Sequence, residues 1–265
     1  CVRTFREAPP TLPPHTAMTK KKKKKKVVET IPHPVWETAI HKQAEHGQIV
    51  TMKALLAASE LPEEEKIDQT DAEGRTILAC AARGGQLEVC EYLLGAGASI
   101  SASAYQGLRP IHFACIMQRM PVLELLLSKG ADYSAIDFNG NAPLHYAARC
   151  PAANPVKWLV AKGADTEQAN KHGSTALHLA SHAGLQMIQF ALIGCGANVN
   201  CVDKKGDTPL HLTVRGGHGL QTRFLIDSGG DVAAENAAGV TVQSLIDAQS
   251  PAFKEKMAKK MVGEI

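Results

Sequence analysis

The sequence predicts an all-α solenoid, a stack of helix-turn-helix units joined by hairpin-like loops, and three observations lead there. Glycines recur at a step of 33 residues: Gly173 leads to Gly74, Gly107, Gly140, Gly206 and Gly239, and Gly196 leads to Gly97, Gly130, Gly163 and Gly229. A fixed period of this size marks a fold that grows along one axis. Between the glycines lie two short apolar stretches at helical spacing. A helix pair that short cannot cover its own apolar faces, so it must stack on copies of itself.

Composition agrees with a packed core: 45% of the 265 residues are hydrophobic. The formal charge is +3, but the seven lysines of Lys20–Lys26 carry the excess, and without them the remainder stands at −4. Cys1, Cys80, Cys90, Cys115, Cys150, Cys195 and Cys201 form no CxxC pair. Several fall where the repeats demand small buried side chains, so reduced thiols are expected. No stretch approaches the roughly 18 apolar residues of a membrane span, and no apolar core follows the N-terminal lysines as a secretory signal requires. The expectation is a soluble, monomeric protein of the cytoplasm or nucleus, without membrane contact.

In chain order, residues 1–33 read as a disordered tail. Cys1–Ala17 is rich in Pro, and Met18 opens a more ordinary start, so translation is expected to begin at Met18. The run Lys20–Lys26 repels itself and cannot fold; it reads as a solvated tail, a nuclear-localisation signal or a nucleic-acid contact. Residues 34–70 read as an N-terminal capping repeat, because Thr38-Ala39-Ile40-His41 and Gly47-Gln48-Ile49-Val50 repeat the later pattern without a preceding hairpin. Trp36 is available to cover the open end. The step from Gly47 to Gly85 is 38, five more than the period, which places an acidic surface loop around Ser59–Lys66.

Five regular units fill residues 71–235: Asp71–Ser103, Ala104–Ile136, Asp137–Ala169, Asn170–Val202 and Asp203–Glu235. The last shows the local logic. Thr208 is placed to cap a helix with Pro209 at its first position. Leu210, Leu212 and Val214 supply apolar surface, while Thr213, like Ala81, Ala114, Ala147 and Ala180 at the same position, keeps the helix approach close. Gly217 ends this helix, and a second runs through Leu220–Ile226 to Gly229, a terminating position that needs left-handed geometry. Tyr92, Leu125, Trp158 and Phe224 share a position on the second helices and read as inter-repeat core. Residues 236–265 read as a C-terminal capping repeat, with polar Gln243 where other units carry Leu or Ile, followed by a basic tail helix.

These segments, DKKGDTPLHLTVRGGHGLQTRFLIDSGGDV, NKHGSTALHLASHAGLQMIQFALIGCGANVN and DFNGNAPLHYAAR among them, resemble the ankyrin repeat over about Val35 to Ala248. In architecture the chain is similar to small all-ankyrin adaptors and proteasome-assembly chaperones. It departs from the pattern at Arg109 and Ala142, which replace the capping Thr, at Ala79, which replaces the repeat His, and at Pro151 and Pro155 in the third inter-helix turn. The resemblance implies that His41, His112, His145, His178 and His211 bond to loop backbone and tie one hairpin to the next. Packed helices lie roughly 8–10 Å apart, whereas zinc ligands sit about 2 Å from the ion, so no metal is expected across successive repeats.

No phosphate loop, GxSxG elbow or HExxH is present, and Gly194-Cys195-Gly196 ends a helix instead of opening one; neither catalysis nor a cofactor is expected. The resemblance implies a non-catalytic scaffold or adaptor that binds a protein partner on its concave face. Carried onto this chain, that face includes the tip residues Tyr105, Phe138, Lys171, His172, Lys204 and Lys205, and the inner-helix row Arg83, Ile116, Arg149, His182 and Arg215. An apolar anchor on the partner is expected near Tyr105 and Phe138, and acidic residues toward Lys204. Within Asn170–Val202, Leu179 reads as framework with Leu177 and Leu192. The alternatives are a nuclear or nucleic-acid-associated regulator recruited through Lys20–Lys26, and a regulatory module of a longer enzyme.

Overall fold

The computed structural model describes residues 35–258 apart from 60 and 62. The tail, its start at Met18, the Lys20–Lys26 run, the side chain of Trp36 and the tail beyond 258 lie outside the described residues. The inner helices are α1 (Val35–Glu45), α4 (Ile77–Gly84), α6 (Pro110–Ile116), α8 (Pro143–Ala147), α10 (Ala176–His182), α12 (Pro209–Arg215) and α14 (Val242–Asp247). Each is followed by an outer helix: α2 (Ile49–Ala58), α5 (Leu87–Gly95), α7 (Met120–Ser128), α9 (Asn154–Ala161), α11 (Gln186–Gly194), α13 (Gly219–Asp227) and α15 (Pro251–Ala258). Each inner helix packs on the next along the stack. The insertion expected to be a loop carries instead a short helix, α3 (Glu63–Lys66).

The close approach has the expected cause. Ala81, Ala114, Ala147, Ala180 and Thr213 are all fully buried, and the Thr213 hydroxyl donates to the Leu210 carbonyl at 2.9 Å, so its extra polar atom is satisfied within its own helix. Gln243 is exposed and donates to Asp247, as suits a face that meets water. One reading changes. Tyr92, Leu125, Trp158 and Phe224 are only half-buried at the edge of the core. The fully buried outer row is the next residue along: Leu93, Leu126, Leu159, Leu192 and Leu225. Lys53 and Lys162 lie over the rings of Tyr92 and Trp158 at 4.1 and 5.4 Å, which keeps those rings at the water boundary.

The main apolar core runs from Ile40 to Ala197, and a second begins at Val199 and closes on Phe253. Four buried polar side chains flank this seam: Ser181, Gln189, Thr213 and Thr222. Gln189 donates to the Ser181 hydroxyl at 3.0 Å, but its Oε1 is buried without a partner. The same positions one unit earlier hold Ala148 and Val156. An orphaned buried acceptor costs about 1–3 kcal/mol, so the pair S181A/Q189V is expected to stabilise the chain by about 1 kcal/mol. A urea midpoint that falls in the double variant would contradict this.

Candidate protein-binding face

The hairpin tips are built by a device absent from the sequence reading. Asp137 Oδ1 accepts from the backbone N–H groups of Asn139 and Asn141, both at 2.7 Å. Asp71, Asn170, Asp203 and Asn236 do the same in their own tips. These five residues fall on one multiple of the 33-residue step, which was the available signal; only Ala104 breaks the row.

Each tip then bonds to the next. The N–H groups of Tyr105, Phe138, Lys171, Lys204 and Ala237 donate to the carbonyls of Glu73, Gln106, Asn139, His172 and Lys205 at 2.8–3.3 Å. Tip glycines make this approach possible. Gly173 sits at φ +78°, and a Cβ there would stand 2.7 Å from the Lys204 nitrogen. The tips therefore form a continuous ladder along one edge of the stack.

The repeat histidines hold the second line of contacts. His178 Nδ1 accepts from the Thr175 N–H at 3.2 Å, and Nε2 donates to the Asp207 carbonyl at 3.0 Å, 29 residues ahead. His112, His145 and His211 act alike toward Ala135, Ser174 and Val240, and His41 Nε2 meets the Gln69 carbonyl at 3.0 Å. With both ring nitrogens so occupied in His112, His145, His178 and His211, these rings are joints between units.

Burial first of all holds His112, His145 and His178 below the ordinary value of 6.5, although hydrogen bonds and nearby acids oppose it. For Asp71, Asp137 and Asp207 burial also acts against the charge, but hydrogen bonds from Arg75, Tyr146 and Arg215 outweigh it, and their carboxyls lie below 3.8. Both shifts give stability at high pH. The histidine share is full above 6.5 and declines as the pH falls from there through the lowered folded values, because only the unfolded rings take up protons. The aspartate share is lost only below 3.8. The urea midpoint is therefore expected to fall between about pH 7.5 and about pH 5.5, before any carboxylate titrates; a flat midpoint over that range would contradict it.

The tips and inner helices enclose a line of clefts. One of about 510 Å³ lies between the first and second regular units and is lined by Arg75, Arg83, Tyr105, Leu108 and Phe113 among others. A smaller one of about 270 Å³ between the third and fourth units includes Tyr146, Arg149, His172 and Leu179. Another of about 510 Å³ between the fourth and fifth units includes His172, His182, Lys204, Lys205, Leu212 and Arg215. Tyr105 and Phe138 are 72% and 67% exposed, and the Phe138 ring lies against Gly107, where a Cβ would meet it at 2.7 Å.

Of the residues expected on this face, Arg83, Tyr105, Arg149, His172, His182, Lys204, Lys205 and Arg215 line these clefts, while Phe138 and Lys171 stand exposed on the tip ridge and Ile116 is half-buried at the end of α6. Two arginines are committed elsewhere. Arg215 grips buried Asp207 with Nη1 and Nη2 of its guanidinium, and Arg83 pairs with Glu45 at 3.2 Å. Leu179, read as framework, and Leu212, read as apolar helix surface, are half-exposed and line the clefts; Phe113 occupies the same position in its unit.

Burial pushes the Cys80 and Cys90 thiols up to about 12 and Cys201 to about 11, far from nucleophilic thiolates. Among the described residues no group of three His, Cys, Asp or Glu is placed to hold a metal, and no helix is long and apolar enough to cross a membrane.

A family model described as ankyrin repeats (3 copies) matches residues 17–104, 40–137 and 99–170, and one described as ankyrin repeat matches residues 172–204 and 205–237. Among curated proteins none matches the chain.

Proposed function

The chain belongs to the ankyrin-repeat family, and from that premise we propose that it is a non-catalytic scaffold or adaptor that binds a protein partner along its tips and inner helices. Ankyrin repeats generally mediate protein–protein interaction. The observation that carries the proposal is the pair of exposed aromatics, Tyr105 and Phe138, on neighbouring tips beside an open cleft. Large aromatic side chains at the centre of a contact contribute most of its affinity. They stand on a ladder of hydrogen bonds that fixes their backbone before a partner arrives, and a preformed face loses little entropy on association.

Affinity capture with the full chain, followed by mass spectrometry, tests it. The reading expects Y105A/F138A to lower recovery of the captured partners by at least about tenfold, while F190A, on an exposed site of α11, leaves recovery unchanged. Partners that ignore the tip substitutions and are lost with F190A would overturn the reading.

A further inference from the structure

The two ends of this face differ, and the difference specifies what would lie along it. At the joint of the first two regular units Ala79 stands where the others carry His, and Ala104 where they carry Asp or Asn. With neither imidazole nor carboxylate to bridge it, this joint is closed by an apolar cluster of Ala79, Ala104, Leu108 and Phe113. The cleft above it has neutralised walls: Arg75 pairs with Asp71 and Glu73, and Arg83 with Glu45. An apolar side chain fits there without stranding a charge.

The opposite end is basic. Lys171, Lys204 and Lys205 are exposed, and no salt bridge among the described residues engages them. Arg215 is already neutralised by Asp207. Besides Asp207, Asp203 faces this cleft, and its Oδ1 already accepts from the N–H groups of Lys205 and Asp207. Three lysines beside His172 and His182 thus leave a surplus of positive charge over one carboxylate.

We infer that the occupant is a single extended acidic peptide segment, with an aromatic or branched aliphatic side chain in the cleft at Tyr105 and a run of Asp or Glu against Lys171, Lys204 and Lys205. The inference rests on the binding-face reading above. Tyr105 and Lys204 are three tips apart. Packed helices of neighbouring units lie roughly 8–10 Å apart, so the three steps span up to roughly 30 Å, or about nine residues of extended chain at about 3.3 Å each. The cleft between the third and fourth units is lined at the same repeat positions as those at the two ends, with Arg149 answering to Arg83 and Arg215, and Leu179 to Phe113 and Leu212, so one chain can follow them.

The test is selection of a phage-displayed random peptide library, about 16 residues long to exceed the required span, on the full chain. Enriched peptides are expected to pair an apolar anchor with an acidic run about nine positions away. K204E/K205E is expected to weaken them at least about tenfold and to remove most of their salt dependence, with K204Q/K205Q intermediate; Y105A is expected to weaken them, and F190A to leave them unchanged. Circular dichroism checks that each variant keeps its helices. Enrichment without acidic preference, indifference to charge reversal, or no enrichment at all would each overturn the inference. If captured proteins still depended on Tyr105 and Phe138 in those cases, the binding face would stand and only the extended acidic occupant would fall.

Discussion

Replacing His178 by Ala is expected to lower the unfolding free energy by about 3 kcal/mol, because it opens a cavity, orphans the buried Thr175 N–H and removes the bond to the next unit at once. The ring is fully buried in α10, accepts from the Thr175 N–H and donates to the Asp207 carbonyl of the next unit. After truncation the Thr175 N–H is left without its partner, whereas the Asp207 carbonyl keeps the bond it accepts from the Asp203 N–H at 3.0 Å, and the seam between the two apolar cores lies alongside. Urea titration followed by circular dichroism reads the loss. A cost below about 1 kcal/mol would mean that the joint is held by packing alone. The chain contains its own comparison: the first regular unit manages without this His because Ala79, Leu108 and Phe113 fill the gap with apolar contact, whereas H178A would leave the gap empty.

Asp207→Ala is expected to cost about 2 kcal/mol, the range for hydrogen bonds to a charged group. Asp207 is 2% exposed and accepts from Asn236 Nδ2 at 2.7 Å, as well as from Nη1 and Nη2 of Arg215. Its loss leaves an amide of buried Asn236 unpaired and removes one of the bonds that join the fifth unit to the C-terminal cap. Arg215→Ala is expected to cost less, since that side chain is 42% exposed and its pairing is screened by water. Equal losses in the two variants would contradict the assignment of the larger share to the Asn236 bond.

Much of this was legible because the demands are local and recur. A glycine that must adopt φ near +78° with the next tip pressed against it has no substitute, so Gly140, Gly173 and Gly206 appear at a fixed step. The small row from Ala81 to Thr213 is legible for the same reason: each neighbour excludes bulk. The carboxylate and amide row of Asp71, Asp137, Asn170, Asp203 and Asn236 was equally periodic, and recognising it needed only the knowledge that these side chains cap their own turns. The facing of Leu179 and Leu212 was not legible. A leucine after the repeat His reads as core by composition, and only the placement of the tips shows that it borders an open cleft. Nor could the row Arg83, Ile116, Arg149, His182 and Arg215 tell which arginine is spent, because Glu45 comes from the preceding unit and Asp207 from the tip that folds against α12.

The most direct test of the account is photo-crosslinking. A benzophenone amino acid placed at Tyr105 in the full chain is expected to yield covalent adducts with the captured protein partner, and the same group at Phe190 is expected to yield none. Adducts formed from Phe190 and absent from Tyr105 would contradict the claim that the tips and inner helices are the binding face.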